Sequence, residues 1–238
     1  MKRLISALLA LTLALALAGC SANKEPGGTI TPKNEDTQET TTAPAEETTE
    51  ATVSLGRMEG GVYTNEYAGF ACSLDESWQY YTAEELQDLS DLTQEQLQDS
   101  ALAEQTGKFD QITDMMAENY ELLASINVNY TRLSVSDRVT FSTISEETLI
   151  DTTLLQKDDM IQSYAQSGIQ VSSMEKTQVS FLGEQHYAIH TVATIEDTPY
   201  YLIQLFCFNL GGQYNVTLTL ASFVEDNTAG LLELFYPV

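Results

Sequence analysis

The chain is short of positive charge. Its 238 residues carry 10 Lys and Arg against 35 Asp and Glu, a formal net charge of −25. A field of that sign repels nucleic acid and anionic lipid, so nucleic-acid binding is excluded. Histidine is almost absent, with His186 and His190 alone. They fall in a strand-like segment, where four residues span ~13 Å, too far for both to hold one metal. No HExxH motif or Cys–His cluster accompanies them, so no zinc site is expected. Also missing are G-x-S-x-G, a glycine-rich phosphate loop and the kinase motif set. None of the acidic pairs, Asp110/Asp114, Glu146-Glu147, Asp158-Asp159, Glu196-Asp197 and Glu225-Asp226, has calcium-loop spacing. They are expected on solvated faces and at helix N-termini. No catalytic residue, metal site or cofactor is therefore expected, and the chain is read as a non-enzyme.

Long apolar runs are also lacking. The longest, Leu4 to Ala18, is broken only by Ser6 and Thr12. Fifteen helical residues reach ~22 Å, short of a ~30 Å hydrocarbon core. With Met1-Lys2-Arg3 before it and Leu17-Ala18-Gly19-Cys20 closing it, the segment has the layout of a secretory signal. The cysteine at the cut resembles a bacterial lipobox. That resemblance implies removal of residues 1–19, lipidation and acylation of Cys20, and a chain anchored in the cell membrane on its extracytoplasmic face. Several acyl chains on one residue hold firmly where one binds only marginally.

Cysteine is scarce beyond that point. Cys72 and Cys207 lie in strand-like apolar runs, and either a disulfide or two buried thiols fits them. Residues 20–55 lack aromatics. After Cys20 they hold nine Thr, three Pro and seven acids against two Lys. Such a segment cannot bury enough surface to offset chain entropy and is expected to be a disordered tether. As a flexible coil it spans about 30–35 Å.

Residues 56–238 hold what the rest lacks: enough apolar sequence for one domain with a full core. They carry 28 acidic and six basic residues, a net −22. Phe70 to Leu74 alternates as a strand. Thr82-Ala83-Glu84-Glu85 is a capping box, and Thr93 to Gln96 offers another, so a helical region is expected toward Gly107. Ile112 to Ala117 predicts a strand. In Ala124 to Leu133, Ile126, Val128 and Tyr130 alternate with Asn127, Asn129 and Thr131, which predicts a half-buried strand with one wet face. Glu146 to Ser167 predicts one helix, stopped by Gly168. Four strands follow, at 170–181, 186–195, 200–209 and 214–221. Their short connections require antiparallel neighbours. Ser222 and Asp226 can cap a last helix carrying Leu231 and Leu232. Tyr200 to Phe208 is apolar on both faces, as in a central strand covered by helices on both sides. The expected class is α+β, a largely antiparallel sheet with helices packed on both faces.

Particular stretches resemble the PsbP-like domain. Tyr67-Ala68-Gly69-Phe70 through Leu74-Asp75-Glu76-Ser77-Trp78 is similar to the family's opening "gF.i..P.gW" segment, with Asp75 in place of proline and Ser77 in place of glycine. Phe181-Leu182-Gly183-Glu184-Gln185-His186-Tyr187 resembles its "f.G..y" hairpin, and Gly212 to Thr219 its "g.y..itl" strand. The resemblance implies an α/β/α sandwich of PsbP type. Lipidated proteins of this kind, with Thr/Glu-rich tethers, are frequent in Gram-positive bacteria. The matching residues serve packing and turns and carry no chemistry.

The expected function is a membrane-anchored, non-catalytic binding or accessory module for a protein or envelope component. A small-ligand or divalent-cation binder, and an enzyme with an unrecognised site, are the alternatives. Trp78, Tyr80, Tyr81, Tyr200 and Tyr201 are the aromatic residues available to line a groove.

Overall fold

A computed structural model describes residues 55–87, 111–208 and 212–238. Residues 1–19, Cys20 with the tether to residue 54, and the second capping box at Thr93 lie outside them.

Eleven strands among the described residues form two antiparallel sheets. The smaller has the order β1 (Arg57–Glu59), β2 (Val62–Asn65), β3 (Phe70–Ser73), β11 (Phe235–Pro237). The larger runs β4 (Trp78–Tyr80), β5 (Gln111–Asn119), β6 (Ala124–Arg132), β10 (Tyr214–Phe223), β9 (Thr198–Phe208), β8 (Glu184–Ile195), β7 (Ile169–Phe181). The last four strands in sequence follow the turn chemistry expected of them. Leu182-Gly183 links β7 to β8 and Glu196-Asp197 links β8 to β9, each as a two-residue loop with both φ angles positive. That backbone twist matches the strands it joins. β9 is an interior strand, as its two apolar faces imply, and β10 takes the middle of the sheet.

The two faces of the large sheet are covered differently. On one lie α1 (Val135–Phe141), α2 (Glu146–Leu154) and α3 (Lys157–Gln166). Their Phe141, Leu149, Ile150, Met160 and Tyr164 pack on Met174, Ile189, Tyr200, Leu202 and Phe206. Leu86, in the helical turn at 83–87, joins that cluster. Its capping box is formed: Glu85 Oε2 accepts from the Thr82 amide at 2.8 Å. On the other face lie the small sheet and the five-residue α4 (Thr228–Leu232). Among the described residues three helices cover one face, and on the other face α4 shares the cover with the small sheet. The reason lies in the short strands β1, β2 and β11. They add an amphipathic second sheet whose Tyr63, Phe70, Cys72 and Phe235 cover the face.

Phe70, Phe181 and Phe235 join the layers. Their ring centroids lie 5.4 to 5.9 Å apart, spacings that favour edge and tilted ring contacts. Each buried ring contributes about 1.5–3 kcal/mol by area, and the trio ties β11, β3 and the end of β7 together.

The helix expected over 146–167 is split. Ser145 caps α2 by accepting from the Thr148 amide, and Gly168, at φ +81°, ends α3 in a left-handed conformation. Between them the Thr152 and Thr153 hydroxyls bond back to the Thr148 and Leu149 carbonyls. Such bonds bend helices, and Leu155 and Gln156 close a tighter turn there through bonds to Thr152 and Thr153. Both pieces then present their apolar residues inward.

Candidate functional site

The five aromatic residues singled out in the sequence do not share a surface. β4 and β9 are four places apart in the large sheet, about 19 Å at ordinary strand spacing. Trp78 is buried under the small sheet, with Tyr80 half-buried beside it. Burial pushes the Tyr80 phenol up to about 12. Tyr81 faces the helix layer. Tyr200 is buried there too, with its ring centroid 4.8 Å from that of Phe223. Tyr201 is half-buried. Trp78 and Tyr80 thus pack on one face of the sheet and Tyr81 and Tyr200 on the other.

The histidines are engaged separately. His186 Nδ1 lies 3.1 Å from Glu146 Oε1, and His190 Nε2 lies 3.0 Å from Asp226 Oδ2. Asp226 Oδ1 also accepts from the Thr228 amide at 3.1 Å, fixing the start of α4. Lys176 joins Glu147 and Asp151 at 2.9 and 2.7 Å. Among the described residues no group of three or more His, Cys, Asp or Glu is placed to hold a metal ion. Cys72 is a buried free thiol, pushed up to about 12 by its apolar surroundings.

Three features stand out instead. The first is a groove of about 610 Å³ between β7 and β11. Gln178, Val179 and Ser180 form one wall, Phe235, Tyr236 and Pro237 the other, and Leu232 of α4 contributes to the lining. Among the described residues β7 and β11 are each the outermost strand of their sheet. Tyr236 is 42% exposed there, and the Phe trio lies beneath.

The second is a hydrogen-bonded chain between the sheets. β5 carries a bulge between Thr113 and Met115, and the extra residue is Asp114. The bulge turns this carboxylate toward the small sheet, away from the solvated face expected of it. Asp114 Oδ2 accepts from Tyr63 Oη at 2.6 Å and from the Gly56 amide at 2.8 Å. Tyr63 Oη accepts from Asn65 Nδ2 at 2.8 Å, and Asn65 Oδ1 accepts from Tyr130 Oη at 2.9 Å. Burial raises the Asp114 carboxyl above its ordinary value, while the bonds from Tyr63 and Gly56 pull it back. Burial and the neighbouring carboxylate raise Tyr63 far above the usual phenol range. The chain links β2 of the small sheet to β5 and β6 of the large one.

The third is a polar floor on the helix-facing side of the large sheet. Asn127, Asn129 and Thr131 of β6, Asn215, Thr217 and Thr219 of β10, and Gln204 of β9 are all buried. The polar face expected to be solvated in β6 is therefore a covered one. Asn127 and Gln204 are 0% exposed. Asn129 Nδ2 donates to Asn127 Oδ1 at 2.7 Å. Asn127 Nδ2, Asn129 Oδ1, both amide atoms of Gln204 and Asn215, and the three Thr hydroxyls have no hydrogen-bond partner in the protein. A buried polar group left unpaired costs about 1–3 kcal/mol. Nine or more such atoms together would cancel the roughly 5–15 kcal/mol net stability of a domain. The sequence signal for this floor is the run of Asn and Thr at alternate positions of two strands. Nothing in the alternation distinguishes a wet polar face from a covered one.

No protein-family model matches the sequence, and no curated protein matches it. Among solved structures, the chain is similar to the solution structure of cyanobacterial PsbP (CyanoP) from Synechocystis sp. PCC 6803. The match covers 74% of this chain and 91% of that chain, with 12% sequence identity and a TM-score of 0.41.

Proposed function

We propose that the chain is an extracytoplasmic lipoprotein of PsbP-like fold that acts as a non-catalytic binding module, held to the membrane through lipid on Cys20. The observation that carries the binding reading is the groove lined by β7 and β11, the outermost described strands of the two sheets, with Val179, Leu182 and Tyr236 in its lining. An extended polypeptide laid between β7 and β11 would pair its main chain with an edge and seat alternate side chains against Val179, Leu182 and Tyr236. The domain's net charge of −22 favours a partner segment rich in Lys and Arg and speeds its encounter. Exposed apolar area rimmed by polar residues, as at Tyr236 beside Glu233 and Gln178, is typical of such contacts.

Two experiments test the halves of this reading. Cys20→Ala should move the protein from the membrane fraction to the soluble one; retention in the membrane would refute the lipid anchor. Crosslinking in intact cells should recover a basic partner with the native chain and lose it with Tyr236→Asp, while circular dichroism stays unchanged. Equal recovery by both forms would remove the groove from the interface.

A further inference from the structure

One end of the large sheet carries exposed aliphatic side chains on a backbone that does not suit them. The turn from β5 to β6 places Leu122 and Leu123 there, and Val224 follows β10. They are 52%, 38% and 52% exposed. The Phe223 amide donates to the Leu123 carbonyl and the Val224 amide to the Pro199 carbonyl, both at 2.9 Å, so the two segments meet each other and the start of β9. Leu123 and Val224 have φ of +50° and +72°, a left-handed conformation that side chains resist, a β-branched one most. Glycine or asparagine would sit there at less cost. Neither burial nor backbone preference therefore accounts for aliphatic residues at this tip. Its loop is pre-shaped: Asn119 Oδ1 accepts from the Glu121 and Leu122 amides at 2.9 and 2.8 Å, and Asn119 Nδ2 donates to Ser77 Oγ at 2.8 Å. Glu121 and Glu225 are the chain neighbours of Leu122 and Val224, and Glu196 and Asp197 form the adjoining β8–β9 loop; all four are exposed. Segments 118–125, 194–201 and 221–228 contain no Lys or Arg.

We infer that this tip docks a protein segment whose aliphatic side chains are flanked by Lys or Arg. The aliphatic centre supplies burial, and the acidic surround selects the partner's charge. A second copy is disfavoured, since it would bring the same carboxylates and the domain's net −22 against them. An anionic bilayer is repelled by the same groups. The pre-shaped loop limits the ordering cost of contact. This surface is separate from the groove. The groove lies by the β7–β8 turn, and the tip by the β8–β9 turn at the other end of β8. That strand has 12 residues, so the two surfaces stand about 35 Å apart along it.

The test uses the full chain in phosphatidylcholine nanodiscs, native and as Tyr236→Asp, with Leu and Val methyl groups followed by NMR. The probe is the capped peptide Lys-Lys-Leu-Leu-Lys-Lys; the controls replace its leucines by serine or its lysines by glutamate. The probe should move the Leu122, Leu123 and Val224 methyl signals in both protein forms, and each control should bind roughly tenfold more weakly. Val224→Asn removes the aliphatic group and suits the left-handed backbone. It should weaken probe binding about tenfold while the thermal midpoint holds or rises. Leu122→Ser should weaken binding likewise, and it decides alone if Val224→Asn disturbs the fold. Silence of the three methyl signals would overturn the proposal. So would equal binding of probe and controls, or binding that survives both variants. Broadening of these methyls by spin-labelled lipid would overturn it in favour of the bilayer, and shifts that track protein concentration without peptide in favour of a second copy. Tyr236→Asp takes the groove out of play, so failure at the tip is separate from failure of the groove reading.

Discussion

Tyr63→Phe removes one oxygen and disturbs both neighbours in the chain that joins the two sheets. That hydroxyl donates to Asp114 Oδ2 at 2.6 Å and accepts from Asn65 Nδ2 at 2.8 Å. A hydrogen bond to a charged group contributes about 1.5–3 kcal/mol, and an orphaned buried donor costs about 1–3 kcal/mol. The two effects share one atom and do not add in full, so the expected loss is about 2–4 kcal/mol. It should depend on pH, with a sign set by Asp114. Burial raises this carboxyl in the folded state. The native form therefore holds its proton more tightly than the unfolded chain, and its contribution to stability is full below the ordinary value of 3.8. It is lost as pH rises through the folded-state value. The bond from Tyr63 opposes that rise. Without it the carboxyl moves further up, and the variant loses more stability than the native protein between pH 4 and neutrality. Urea unfolding of both forms at pH 4 and pH 7.5 measures this directly, and Asp114→Asn should flatten the difference. A loss that is equal at the two pH values, or one that survives unchanged in the Asp114→Asn background, refutes the reasoning.

Three further outcomes follow from other residues. A Cβ on Gly56 would lie 2.6 Å from Tyr63 Cζ and Oη; Gly56→Ala should therefore displace the ring, destabilise by about 1–3 kcal/mol, and add little to Tyr63→Phe in a double-mutant cycle. Cys72, with its thiol pushed up to about 12, should resist alkylation at pH 8 in the folded chain and react in urea, as read by peptide mass; rapid labelling of native protein would contradict its burial. Glu196 and Asp197 both sit at positive φ in an exposed loop, so Glu196→Asn with Asp197→Gly should raise stability by about 1 kcal/mol in thermal unfolding, and an unchanged or lower midpoint would contradict the turn geometry.

The sequence made the four late strands legible because their alternation and their turn residues agree. The short strands β1, β2 and β11 escaped notice, since three or four residues carry too little periodicity. α1 did too: Val135 and Val139 are exposed and only Phe141 is buried. It is held by Ser134, which accepts from the Asp137 amide, and by no apolar stripe. Asp114 looked like a member of an acidic pair, but a bulge reverses the face it occupies. Asn127, Asn129 and Thr131 do lie on the face opposite Ile126, Val128 and Tyr130, as their alternation implies. Alternation reports that two faces differ, and whether the polar one is covered depends on contacts distant in sequence. The groove at Tyr236 was invisible for the same reason, being made by strands more than fifty residues apart.

The long outer strand β7 is guarded unevenly along its length. Its first part has a bulge between Val171 and Ser173, then Glu175 and the clamped Lys176. Kinks and charge of this sort keep sheet edges from mating. From Thr177 to Phe181 no charge or proline interrupts the strand. A surface open to a partner's main chain is equally open to another copy of itself. Concentrated or partner-starved protein should therefore self-associate from this end of the strand first, and a single lysine at Ser180 would be the economical way to keep it monomeric.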